Sequence, residues 1–169
     1  MKNLALATLL AALAASPALA ETTASNGPSG AHYANGSAEP VCTVDPATRD
    51  VSCTGTTIGG VGHTNAVATL SATYSATVQC RNHGGQIVNV KTQTVASSSS
   101  GQLTPSRNGQ LNVPSLSTTA PTTQELVAMA TCPNGNWTKE LLGGATLTSF
   151  TYTLVFKGFS QPYISIVGA

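Results

Sequence analysis

Four cysteines, three histidines and six carboxylates are the side chains with which this 169-residue chain could do chemistry. Their spacing offers little of it. His32, His63 and His83 lie far apart, and none belongs to the H-E-x-x-H or H-x-H patterns that put two imidazoles on one metal. Glycoside hydrolysis needs two positioned acids, to be drawn from Glu21, Glu39, Asp45, Asp50, Glu125 and Glu140. Only Asp45 and Asp50 come together, across a hairpin turn, where turn stabilisation accounts for them. With backbone carbonyls they would also suit Ca²⁺, but no EF-hand or nonapeptide repeat surrounds them. There is no G-x-S-x-G elbow, and nothing singles out one serine for a Ser-His-Asp triad. Gly59-Gly60-Val61-Gly62 lacks the lysine and the strand-to-helix setting of a phosphate loop. Arg81, Asn82 and His83, in a Gly-rich turn, would suit an anion; a plain solvated turn explains them better. The chain is read as a non-enzyme without a cofactor or metal.

How the cysteines are read depends on compartment. Met1-Lys2-Asn3 is a short basic n-region, Leu4 to Ala15 an apolar run, and Ala18-Leu19-Ala20 a small-x-small cleavage site. This is the pattern of a secretory signal peptide, too short to span a bilayer. Residues 1–20 are expected to be removed after Ala20, and the product to be secreted or held at the cell surface. Cleavage removes Lys2, which leaves the mature chain formally neutral. No later apolar run approaches about 18 residues, so no span is expected in the mature chain.

An even cysteine count in an oxidising compartment argues for two disulfides, with three possible connectivities. Two short β-prone runs, Val41–Val44 and Val51–Cys53, flank Asp45-Pro46-Ala47-Thr48, a turn signal. Folding about Ala47 and Thr48 sets Cys42 opposite Cys53 and Val44 opposite Val51. Directly opposed Cβ atoms, about 4.5–5.5 Å apart, are close to what a disulfide needs. Cys80 then pairs with Cys132 across a long loop. The short closure contributes about 3 kcal/mol and the long one about 4 kcal/mol in the chain-entropy picture. A Cys₄ metal site is the competing reading, but no C-x₂-C pair supports it.

The elements that must position these groups are mostly strands. Residues 21–39, rich in Ser, Thr, Gly, Ala and Asn, read as a flexible leader, and 40–169 as one β domain. From Val67 to Cys80 the alternation is clean. Ala68, Leu70, Ala72, Tyr74, Ala76, Val78 and Cys80 fall on one face, and Thr69, Ser71, Thr73, Ser75, Thr77 and Gln79 on the other. A period of two means a long half-buried strand. Asn82-His83-Gly84-Gly85 breaks it, and Gln86 to Val95 alternates again with ambiguous facing. Ala96 to Gly101, with four consecutive serines, reads as a loop. Asn108-Gly109 signals a type I′ hairpin between Leu103 and Leu111–Val113, although Pro105 makes the first arm irregular. Thr122-x-x-Glu125 before Leu126 matches a capping box and predicts a short helix; a short strand entering Cys132 is the alternative. Phe150, Tyr152, Leu154 and Phe156 share a strand face, and Tyr163 to Val167 is a final strand. Seven or eight strands with turn signals predict an all-β, Ig-like antiparallel β-sandwich with two disulfides. If Cys80–Cys132 bridges two sheets, Trp137 is expected to pack nearby.

Cys80-Arg81-Asn82-His83-Gly84-Gly85 and Cys132-Pro133-Asn134-Gly135-Asn136-Trp137-Thr138 resemble the paired segments of a group of small exported bacterial proteins. That group carries C-x-N-x-G-G after a Thr/Ala-alternating strand and C-P-N-x-x-W later. Between them comes an N-G-x-L hairpin like Asn108-Gly109-Gln110-Leu111. The likeness spans roughly residues 41 to 157 and includes Cys53-Thr54-Gly55 upstream. It implies an exported disulfide-bonded β domain and brings no activity or catalytic residue with it. The ending, Phe159 to Ile166, departs from the group's pattern as an extra strand.

Composition narrows the partners. Charged residues are 8% and aromatics 5% of the chain, at a formal net charge of +1, against about 25% charged in average globular proteins. There is no basic stripe for nucleic acid and no polybasic patch for anionic lipid. Strand faces of Thr, Ser, Asn and Gln suit carbohydrate or mineral surfaces, or further copies of the same chain; equally, an exported domain needs a polar outer face. The sequence therefore predicts a secreted surface or matrix component acting by self-association or adhesion. The neutral run containing Tyr163, Ile164 and Ile166 is its candidate pairing edge. The alternative is a soluble module for an extracellular glycan or protein, built on Trp137 and the Arg81–Gly85 turn. A hydrolase inhibitor, with Asn134-Gly135 beside Cys132 as its exposed loop, is a variant of that alternative.

Overall fold

The structure is a computed structural model and describes residues 18–169. The basic start and apolar run of the expected signal peptide lie outside the described residues. Of the described residues, 51% are strand and 7% helix, in several antiparallel sheets with two disulfides.

In chain order the elements are β1 (Glu21–Thr22), β2 (His32–Tyr33), β3 (Cys42–Val44), β4 (Val51–Cys53), β5 (Thr56–Gly59) and β6 (Ala66–Arg81). There follow β7 (Ile87–Leu103), β8 (Leu111–Val113), β9 (Leu116–Thr118), α1 (Thr123–Met129), β10 (Thr138–Phe156) and β11 (Ile164–Gly168). A five-stranded sheet in the order β1-β11-β10-β6-β7 is accompanied by two three-stranded sheets, β2-β5-β8 and β3-β4-β9.

β6 is the spine, and its alternation decides which way the large sheet faces. Ala68, Leu70, Ala72, Tyr74, Val78 and Cys80 are buried, whereas the intervening Thr, Ser and Gln are half-exposed. The buried face carries the core. Leu70 and Tyr74 join Tyr152, Leu154 and Phe156 from β10 and Ile164 and Ile166 from β11. Val51, Ile58 and Leu111, from the small sheets, complete the same cluster.

Local predictions hold at two places. Cys42 pairs with Cys53, and Val44 with Val51, in the β3–β4 ladder, where the first disulfide forms. Thr122 caps α1: its Oγ1 accepts from the Glu125 backbone N–H, and the Glu125 carboxylate accepts from the Thr122 backbone N–H at 2.7 Å. The second expected disulfide, Cys80–Cys132, also forms. It does not bridge two sheets, because Cys132 lies in the loop between α1 and β10.

Several expectations are corrected. The serine run is strand: β7 continues through Leu103, since alternate residues from Val90 to Ser100 turn toward the packed face of the sheet and β6 supplies a ladder partner in constant register as far as Ser99, resumed at Gln102 after a bulge. Sheet context outweighs serine's weak strand preference. Its facing also resolves, with Val95 on the outer face and 59% exposed. The Asn108-Gly109 turn is present, but Gly109 alone takes a positive φ, of 72°. Ser106 N–H donates to the Gln110 carbonyl at 2.8 Å, a type I turn followed by a left-handed glycine rather than type I′. Its second arm, β8, pairs with β5 and not with Leu103.

Residues 21–39, expected as a leader, are built into the fold. β1 pairs with β11 and β2 with β5. Thr23 N–H donates to the Tyr163 carbonyl at 2.8 Å. Gly27 lies flush against the Tyr163 and Phe156 rings, where a Cβ would come within 2.7 Å of Tyr163 Cδ2. Small residues here permit close packing on aromatic rings.

Candidate functional site

β10 and β6 register so that outward side chains line up across strands. One row runs Ser165, Thr153, Thr69, Ser99; the next runs Val167, Thr151, Ser71, Ser97. Further along come Ser149, Thr73 and Val95, then Thr146, Ser75 and Gln93. Strand geometry spaces such side chains about 4.8 Å across the sheet and about 6.8 Å along it. These residues are half-buried or exposed. The result is an almost uncharged hydroxyl face over four strands. Lys91 and Glu140 enter only toward the far end, opposite Thr77 and Gln79.

At that far end the structure gathers residues that are distant in sequence. Thr138 pairs with Arg81, and its Oγ1 donates to the Arg81 carbonyl at 3.1 Å. Trp137, one residue earlier, therefore sits beside the Arg81–Gly85 turn, and Cys80–Cys132 ties the intervening segment to β6. Asn82 builds the turn itself. Its Oδ1 accepts from the Gln86 N–H at 2.8 Å and its Nδ2 donates to Gln86 Oε1 at 2.8 Å. Gly85 supplies a φ of 80°. Arg81 is exposed and donates to Gln79 Oε1 at 3.2 Å; His83 is exposed on the turn. Trp137 is half-buried and outside the core cluster, so it is not the sandwich tryptophan the sequence suggested.

The proposed pairing edge is placed differently. Tyr163, Ile164 and Ile166 are core residues, exposed by no more than 2%. Tyr163 packs edge-on against Phe156, with ring centroids 5.3 Å apart. β11 lies between β10 and β1 rather than at the sheet border. A neutral apolar run reads alike as a sticky edge or an interior strand, and only the position of the N-terminal segment distinguishes the two.

The carboxylates have structural duties. Asp45 Oδ1 accepts from the Ala47 N–H at 2.7 Å and the Thr48 N–H at 2.9 Å. Backbone hydrogen bonds from Thr48 and then Ala47 hold this carboxyl below its ordinary range. Asp50 Oδ1 accepts from the Ala120 N–H at 2.8 Å and so ties the hairpin to the segment before α1. Among the described residues no group of three or more His, Cys, Asp or Glu could hold a metal ion. His32 Nδ1 is 2.8 Å from the Gly30 carbonyl. His63 is exposed in its glycine loop, which Val61 N–H anchors to the Gly109 carbonyl at 3.1 Å.

Three features had no sequence signal. Arg49 is a non-glycine residue with φ of 68°, and its carbonyl accepts from the buried Tyr74 hydroxyl at 3.0 Å. Beside it a cleft of about 540 Å³ is lined by Arg49, Asp50, Thr119 and the Gly144–Thr146 bulge of β10. Tyr152 Oη is buried with no hydrogen-bond partner among the described residues. No helix of the described residues is long and apolar enough to cross a membrane. No family model, curated protein or solved structure matches the chain.

Proposed function

We propose that this is a non-catalytic, extracytoplasmic β protein of sandwich type, acting as a cell-surface or matrix component by adhesion and self-association. The observation that carries the reading is the uncovered hydroxyl face of the large sheet. Thr69, Ser71, Thr151 and Thr153 stand in register at its centre, flanked by serines of β7 and β11. Such a face desolvates cheaply compared with a charged one. It presents a repeated array of donors and acceptors, which suits a neutral hydroxyl-rich solid. Two formed disulfides accord with an oxidising compartment, and the reading takes removal of residues 1–20 as the route there. The test is co-sedimentation of the oxidised protein with insoluble polysaccharide. Ser71→Glu combined with Thr153→Lys charges the face without touching the core side. Its apparent affinity is expected to fall at least tenfold at an unchanged urea midpoint. Equal binding by the variant refutes the assignment.

A second reading is favoured by the placement of Trp137 next to Thr138, which pairs with Arg81 at the start of the Arg81–Gly85 turn: a soluble module for a glycan or secreted protein. The chain has one tryptophan, so its fluorescence reports directly on titration with soluble oligosaccharides. A saturable change that Trp137→Ala removes supports this reading, and no change up to millimolar ligand rejects it for glycans.

A further inference from the structure

Among the described residues the large sheet has one long free edge, and we propose that a second copy of this chain pairs with it, antiparallel, along residues 87–99 of β7. The inference rests on the self-association reading and names the strand that performs it. β7 is the terminal strand of its sheet, so one row of its backbone N–H and C=O groups has no strand partner among the described residues. From Arg81↔Ile87 to Thr69↔Ser99 its ladder with β6 runs without a register shift. An extra residue at Ser100–Gly101, with Gly101 at φ 66°, ends the regular part.

Soluble proteins blunt such edges with prolines, clustered charges, bulges or covering segments. Residues 87–99 contain no proline and a single charge, Lys91. Ile87, Val88 and Val95 expose 48%, 41% and 59% of their surface on this one strand. Strand addition to an open edge takes its affinity from main-chain hydrogen bonds and its register from the side chains.

Charge and symmetry select the occupant and its direction. A parallel in-register pairing sets Lys91 against its own copy, and like charges directly opposite are destabilising. An antiparallel two-fold at Gln93 instead sets Gln93 against Gln93, Lys91 against Val95, Asn89 against Ser97 and Ile87 against Ser99. Facing amides are self-complementary, and the lysine stem covers the exposed valine. The interface is isologous and closes on itself. At the opposite border β1 offers only Glu21–Thr22 and leaves only Ile166–Gly168 of β11 beyond it, stretches too short to recruit another strand, so association stops at two. The dimer carries one ten-stranded sheet with both hydroxyl faces on the same side.

Sedimentation velocity of the oxidised chain, up to ~1 mM, registers an association worth about 4 kcal/mol. A monomer–dimer equilibrium is expected. Gln93→Lys sets like charges at the two-fold and should raise the dissociation constant at least tenfold with an unchanged urea midpoint. Gln93→Cys should give a disulfide-linked dimer on mild oxidation, because opposed Cβ atoms about 4.5–5.5 Å apart suit the bond; Asn89→Cys should not. A monomer at every concentration, open-ended fibres, or a dimer indifferent to Gln93→Lys overturns the proposal. Adhesion is scored separately by the Ser71→Glu/Thr153→Lys variant, so either reading can fail without obscuring the other.

Discussion

Tyr152→Phe should make this protein more stable. The side chain is fully buried near the C-terminal end of β10, and its hydroxyl has no hydrogen-bond partner among the described residues. An unsatisfied buried hydroxyl costs about 1–3 kcal/mol relative to its hydrated state in the unfolded chain. Deleting the oxygen removes that cost and leaves a void worth a few tenths of a kcal/mol. The net gain at neutral pH is therefore about 1 kcal/mol. It should appear as a rise in urea midpoint of about 0.3–1 M, or a rise in Tm of about 2–4 °C. A second signature lies at alkaline pH. Burial, with a smaller contribution from Tyr33, pushes the Tyr152 phenol up to about 12. The folded state thus holds this proton more tightly than the unfolded state, whose tyrosines titrate near 10. The resulting stability is complete below about pH 10 and is lost as pH rises toward about 12, at about 1.4 kcal/mol per pH unit. Tyr152→Phe removes that loss, so its advantage over the parent should widen between pH 10 and 11. Burial also raises Tyr33, Tyr74 and Tyr163, so the variant keeps a shallower alkaline decline. Chemical denaturation of both oxidised proteins at pH 7 and pH 11 decides it. Destabilisation by 1 kcal/mol or more at pH 7 would refute the reasoning, because it would mean that the hydroxyl is bonded within the core.

Two further substitutions test the local geometry. Arg49→Gly relieves a left-handed backbone conformation that costs an L-residue about 1–2 kcal/mol; after the added chain entropy of glycine, calorimetry should show a gain of about 0.5 kcal/mol, and a loss would contradict the strain argument. Thr122→Ala removes the α1 cap, with an expected loss of about 1 kcal/mol. The Glu125 carboxyl, held below its ordinary range by the Thr122 backbone and side chain, should then titrate closer to normal by NMR.

Local patterns were the most legible. The Cys42–Cys53 register followed from residue spacing about a turn, because a short hairpin leaves little freedom in pairing. The α1 cap followed from Thr122 and Glu125, because both partners lie within one helical turn. The long alternation of β6 identified its buried face, and the even parity of Phe150 to Phe156 did the same for the end of β10. The candidate surface was legible in composition, as Thr-rich faces, and in the two cysteine segments. Its arrangement was not. The expected edge at Tyr163–Ile166 lies in the interior, and the free edge lies at β7, part of which reads as a loop.

What the sequence determined by itself was therefore whatever depends on neighbours within about ten residues: period, cap, turn and the first disulfide. Tertiary structure alone decided the rest. Gly143-Gly144-Ala145 stand opposite a single residue, Ala76, a shift of two that keeps parity, and Thr148 has no ladder partner in β6, a shift of one that exchanges the parity of β10 between Leu147 and Phe150. No periodicity survives such a shift, and only pairing against β6 reveals it. The serine run became strand because β6 offered a ladder. The N-terminal segment became structure because Tyr163 and Phe156 offered a surface on which glycine could lie. An apolar strand becomes interior or edge according to what pairs with its second side. That partner comes from a distant part of the chain, where loop closure and packing, rather than local preference, set the free energy.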